Sequence, residues 1–220
     1  MKELAIMILR MLGILDMEIV ISDKFACGYS YMLEDGYRLY LPEDELSGLY
    51  GVSVVAELIE EIYGVKIDNS KEGLATFVIA HEIGHYMEIK VHKSNLARLE
   101  HILVHEHDYD SIHEESKAIK ELKKQYDEAK RAYKAECDKT HELFNECMAN
   151  MELGSMRKLL ERQDIESKRN KELRDMEQEI KQRKHNNEIA YRLVSKEVFA
   201  DKFAIEFIKA NFPELIVGRA

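Results

Sequence analysis

Between Glu114 and Asn187 the chain has no proline and a single glycine, Gly154, and Lys, Arg, Glu and Gln crowd around sparse apolar residues. Too few apolar side chains are present to build a layered core, yet the dominant residue types all favour helix. Ile119, Leu122, Tyr126, Ala129, Tyr133 and Cys137 follow one another by steps of three or four, and Leu173, Met176 and Ile180 repeat the rhythm. This is the apolar seam of a coiled coil. Gly154 and Ser155 predict a turn near 153–156 and two antiparallel arms of about 40 residues. Each arm would extend roughly 50 to 60 Å at ~1.5 Å per residue. A single long bent helix or a compact helical bundle would use the same pattern.

The flanking sequence has a different texture. Residues 4–15 read as a helix, MEIVIS as a strand, and CGYSYM and YRLYL as a hairpin around LEDG. Tyr37, Leu39 and Leu41 alternate as on a half-buried strand. Residues 52–63 have helical spacing and stop at Gly64, and VKID follows as a short strand. Asn69 is placed to cap the next helix, with Glu72 three residues on. Strands interspersed with helices imply the α+β class.

Charge and cysteine content narrow the possible functions. Residues 1–113 carry 20 acidic and 9 basic side chains, and residues 114–190 carry 18 of each. An acidic front and a balanced middle leave no basic stripe, so direct nucleic-acid binding is not expected. Cys27, Cys137 and Cys147 are an odd number without CxxC spacing, which argues against a disulfide framework and fits a cytoplasmic setting. Arg10 interrupts the apolar N-terminus and no cleavage signature follows, so an export signal is not expected. No apolar run approaches the ~18 residues of a transmembrane segment.

The run VIAHEIGHYME, residues 78–88, carries the chemistry. On a helix His81 and His85 stand at i and i+4, so both imidazoles leave one face and reach a single tetrahedral zinc ion. Glu82 is offset from that face and suited to take a proton from water. With nine histidines, chance supplies such a motif in roughly one shuffled chain in twenty. Its weight comes from context, because two buried imidazoles are costly without a partner. The longer HExxHxxGxxH pattern is excluded by Glu88 and Val91, with His92 one position late. His101 and His105, with His107 and Asp108, form a second histidine-rich run, read as a solvated helix end in preference to a contact to the cleft or a second ion site. No metal role is assigned to His92, His113, His141 or His185.

Farther on, the segment EVFADKFA, residues 197–204, pairs with HEIGH. Together they resemble the gluzincin zinc metallopeptidases, in particular the ImmA/IrrE-like family and soluble relatives of the HtpX-like peptidases. The resemblance implies Glu197 as third zinc ligand and Asp201 as support for a ligating histidine. The chemistry agrees, since Glu197 completes a two-histidine, one-carboxylate set and Asp201 can accept the other ring proton of His81. Ala200, Phe203 and Ala204 would let this helix lie close to the first. The middle third of the chain has no counterpart in the resemblance.

The expected architecture is thus an α+β, zincin-like core with an inserted helical hairpin. Residues 1–110 and 191–220 form the core and 111–190 the insertion. The expected activity is zinc-dependent endopeptidase action on a protein or peptide substrate, with Glu82 as general base. Tyr191 is a candidate oxyanion donor, and Tyr37–Leu41 a candidate edge strand for the substrate. The alternative is an interaction module with a structural or weakly catalytic zinc site, in which residues 114–187 bind a partner or a second copy.

Overall fold

The protein is described by a computed structural model over residues 1–22, 28–32, 36–42, 45–91, 109–150 and 153–217. Six α-helices are present among them: α1 Lys2–Met11, α2 Glu45–Tyr63, α3 Lys71–Lys90, α4 Asp110–Asn150, α5 Leu153–Arg192 and α6 Ser195–Asn211. The strands are β1 Met17–Ser22, β2 Gly28–Met32, β3 Gly36–Pro42, β4 Lys66–Ile67 and β5 Ile216–Val217, the last preceded by a 3-10 turn, Pro213–Leu215. Helix therefore dominates, and the expectation of an α+β, zincin-like core is overturned. The short alternating segments do form strands, but two of them are only two residues long, while the helices run long. α2 begins at Glu45 instead of residue 52, and α4 and α5 span 41 and 40 residues.

The chain divides into two compact units, Met1–Tyr109 with Tyr191–Ala220, and Asp110–Ala190. In the first unit the core surrounds α3. Its buried residues occupy every side of the helix, including Phe77, Ile79, Ala80, Ile83 and Tyr86, as befits an element enclosed by protein. Ser70 caps it, one residue later than expected, by accepting the Gly73 amide at 3.1 Å. α1 ends at Met11, earlier than expected, and is followed by Gly13 at φ 66°, a left-handed position natural for glycine.

Sheet order is β1-β3-β2, with β1 parallel to β3 and β2 antiparallel to it. β3 is thus the central strand, and the expectation that Tyr37–Leu41 forms an edge is wrong. Ile19 and Ile21 of β1 take register with Leu39 and Leu41, filling the side that a substrate strand would have needed. Leu39 and Leu41 are fully buried, and the Tyr37 ring meets that of Tyr86 edge-on at 4.6 Å. β4 and β5 form a separate antiparallel pair.

In the second unit, Glu115 pairs with Arg183, Ser116 with Asn187 and Glu136 with Arg169. Residue number falls along one helix as it rises along the other, so the helices are antiparallel. Buried Ile112, Ile119, Thr140 and Cys147 stand at multiples of seven on α4, as do Leu159, Leu173 and Ile180 on α5. α4 ends at Asn150 and α5 starts at Leu153, so residues 153–156 are helical and the turn expected there is not found at them. Gly154 and Ser155 instead lie in the first turn of α5, where amides lack helical partners in any case. Cys137 and Cys147 are free thiols, and Cys27 lies outside the described residues.

Candidate metal centre

α3 and α6 carry the candidate ligands, and a glycine lets the two helices approach. A Cβ on Gly84 would stand 2.8 Å from the Ala200 Cα and 3.1 Å from its carbonyl oxygen. Ala200 and Ala204 are fully buried along the same contact. The glycine of HEIGH and the alanines of EVFADKFA thus bring two sequence-distant helices together. His81 and His85 project from α3 and Glu197 from the first turn of α6, and all three are buried.

His81 Nε2 and His85 Nε2 lie 3.1 Å apart, and Glu197 Oε2 is 3.2 Å from the first and 3.7 Å from the second. Ligand atoms at two corners of a tetrahedron around an ion at ~2.05 Å are about 3.3 Å apart. The observed triangle fits that edge length. Glu197 Oε2 is buried with no hydrogen-bond partner, an expensive condition for a carboxylate oxygen that a cation would relieve. His81, His85 and Glu197 form a group that could hold a metal ion. Among the described residues no other such group of His, Cys, Asp or Glu occurs.

Asp201, fully buried one turn beyond Glu197, accepts the other ring nitrogen of His81 at 2.8 Å. In the neutral imidazole that an ion requires, that bond keeps the ring proton on Nδ1 and turns the Nε2 lone pair toward His85 and Glu197. Three residues not singled out by sequence complete the surroundings. The Tyr109 hydroxyl donates to Glu197 Oε1 at 2.9 Å. Arg192 Nη1 donates to Asp201 Oδ1 at 3.1 Å, and the Tyr63 hydroxyl donates to Asp201 Oδ2 at 3.4 Å. None has a spacing signal, since each comes from a helix end or the residue before one. Tyr191, expected as an oxyanion donor, packs its ring 5.7 Å from that of Tyr109.

The electrostatics favour a positive charge at this point. Burial pulls the His81 imidazole down, but its hydrogen bond to Asp201 and the Glu197 carboxylate 3.2 Å away outweigh that effect and raise it to about 9. Burial and the neighbouring His81 charge lower His85 to about 3. Burial pushes the Glu197 carboxyl up, yet His81, His85 and the Tyr109 hydroxyl bring it down to about 2. Burial raises all three tyrosines, Tyr63, Tyr109 and Tyr191, which therefore remain hydroxyl donors. Glu82, half-buried on the adjoining position of α3, is raised by burial against the pull of His81, a carboxyl with increased affinity for a proton.

No family model, curated protein or solved structure matches this chain. The second histidine run, His101, His105, His107 and Asp108, and also His92, lie outside the described residues. His113, His141 and His185 all fall in the second unit and are not members of the ligand group. No helix among the described residues is long and apolar enough to cross a membrane.

Proposed function

We propose that this chain is a zinc protein that acts on other proteins, with a hydrolytic centre at His81, His85 and Glu197. The observation that carries the reading is the triangle of ligand atoms with Glu82 beside it on α3. Two imidazoles and one carboxylate suit zinc, and three protein ligands leave a fourth position for reaction. A zinc ion held there supplies a Lewis acid that acidifies water and polarises a carbonyl.

The residues of the chain supply the rest. Asp201 keeps the His81 lone pair directed at the ion. Glu82 takes a proton from the attacking water and returns it to the departing amine, a role suited to a carboxyl whose proton affinity is raised. The resemblance of HEIGH and EVFADKFA to the gluzincin motifs supports the same assignment, with an endopeptidase acting on a protein substrate as its most specific form.

A second reading asks less of the chain. In it the zinc site is structural or weakly catalytic, and the antiparallel helices, as a coiled coil, bind a partner. It is favoured by the helical pair standing as a unit of its own, with Phe144, Met148, Met156, Leu160 and Ile165 exposed along it. A three-ligand cluster and a separate helical unit cover this reading more completely than they cover turnover.

One experiment separates the two. Zinc content and cleavage of a peptide library are compared for the wild type and Glu82→Gln. Equal zinc in both, with cleavage reduced about 10²- to 10⁴-fold in the variant, supports hydrolysis. Equal zinc with the same background cleavage in both assigns the chain to the interaction reading.

A further inference from the structure

The chain leaves the ligand-bearing unit after Tyr109 and re-enters it at Tyr191. Residues at these two crossings touch two carboxylates of α6, Glu197 and Asp201. We propose that Tyr109 and Arg192 are positioning residues for the metal centre. They orient Glu197 and Asp201, so the ligand set is complete only when the two ends of the helical excursion are brought together. The inference rests on the zinc reading above and adds what fixes its carboxylates.

Tyr109 acts on the third ligand. A carboxylate can offer an ion one oxygen or two, and two would occupy the position that hydrolysis needs open. The Tyr109 hydroxyl, 2.9 Å from Oε1, engages one oxygen and leaves Oε2 as the atom facing His81 and His85. Tyr109 thereby selects one-oxygen ligation.

Arg192 acts on the support of the first ligand. It sits at the last residue of α5, just ahead of α6, and its Nη1 reaches the same Asp201 oxygen that accepts His81 Nδ1. Glu197 Oε2 is 4.0 Å from that nitrogen, outside hydrogen-bond range, so the guanidinium does not compete for the ligand atom. The Tyr63 hydroxyl on the other Asp201 oxygen fixes the remaining rotation of the carboxylate. The rings of Tyr109 and Tyr191, 5.7 Å apart, pack the two crossings against each other.

The test uses the full-length protein, titrated with zinc against a chromophoric chelator and separately loaded with cobalt(II). Tyr109→Phe keeps the ring and removes only the hydroxyl. The expected result is zinc affinity weaker by about 10- to 100-fold. The visible cobalt spectrum should also lose intensity, because a second carboxylate oxygen on the ion raises its coordination number. Arg192→Gln should weaken affinity by a similar factor, and Tyr126→Phe, midway along α4, should change neither readout. A wild type that loads normally, with both variants matching it in affinity and spectrum, overturns this inference and leaves the metal site standing. A wild type that takes up neither zinc nor cobalt overturns both.

Discussion

Asp201 shows how much of the site rests on single hydrogen bonds. It is fully buried and accepts His81, Arg192 and Tyr63, so its charge is compensated from three directions. Asn at this position keeps the shape and can still accept from His81, but it removes the charge that makes the imidazole a strong donor to a cation. Asp201→Asn is therefore expected to weaken zinc binding by about 10- to 100-fold, measured by chelator competition. An unchanged affinity would mean that the His81 tautomer is set elsewhere. His81, Glu82 and His85 are legible from sequence because one helical turn fixes their relation. Glu197 and Asp201 share such a turn but needed the motif resemblance to stand out from many acidic pairs. Tyr63, Tyr109 and Arg192 have no local pattern, since only the assembled fold decides which hydroxyl or guanidinium reaches a buried carboxylate.

At the scale of elements, the crossing of α3 and α6 decides whether the ligands meet. Gly84→Ala tests it, because two effects of known size oppose each other there. Alanine gains up to about 1 kcal/mol of helix propensity over glycine. The new Cβ, however, meets the Ala200 backbone at 2.8 Å, and backbone yields less readily than a side-chain tip. Overpacking of this kind costs about 1 to 3 kcal/mol, so the expected net change is a loss of up to about 2 kcal/mol. Chemical denaturation measures it, and zinc affinity should fall in the same variant as Glu197 moves away from the histidines. A stabilised variant with intact affinity would mean that the helices can separate without disturbing the centre. Sequence placed small residues on this face of α6 but could not position the strands. The β2–β3 hairpin is local and readable, whereas the insertion of β1 beside β3 is a parallel, long-range pairing with no turn to announce it.

For the whole molecule, the two units predict a selective response to metal. Each is built around its own buried residues: α3 and the sheet in one, the seven-spaced row of α4 and α5 in the other. The helical row was legible because its period is local, while the dominance of helix among the described residues was not, since helix ends are weakly marked in sequence. An ion that binds only the folded ligand unit stabilises that unit, by about 2.7 kcal/mol when free zinc is 100 times Kd. At roughly 2 to 4 °C per kcal/mol for a unit of this size, a chelator should lower its melting transition by about 5 to 10 °C. Hydrogen exchange locates the effect. With zinc removed, amides of α3, α6 and the last turn of α5 should exchange faster, while those of α4 and α5 between Lys117 and Arg183 keep their rates. The ligand unit has a large apolar core without the ion, so it should loosen around His81, His85 and Glu197 without unfolding outright. Uniform acceleration across both long helices would show that the second unit depends on the metal for its own stability, and the two would then have to be treated as one cooperative body.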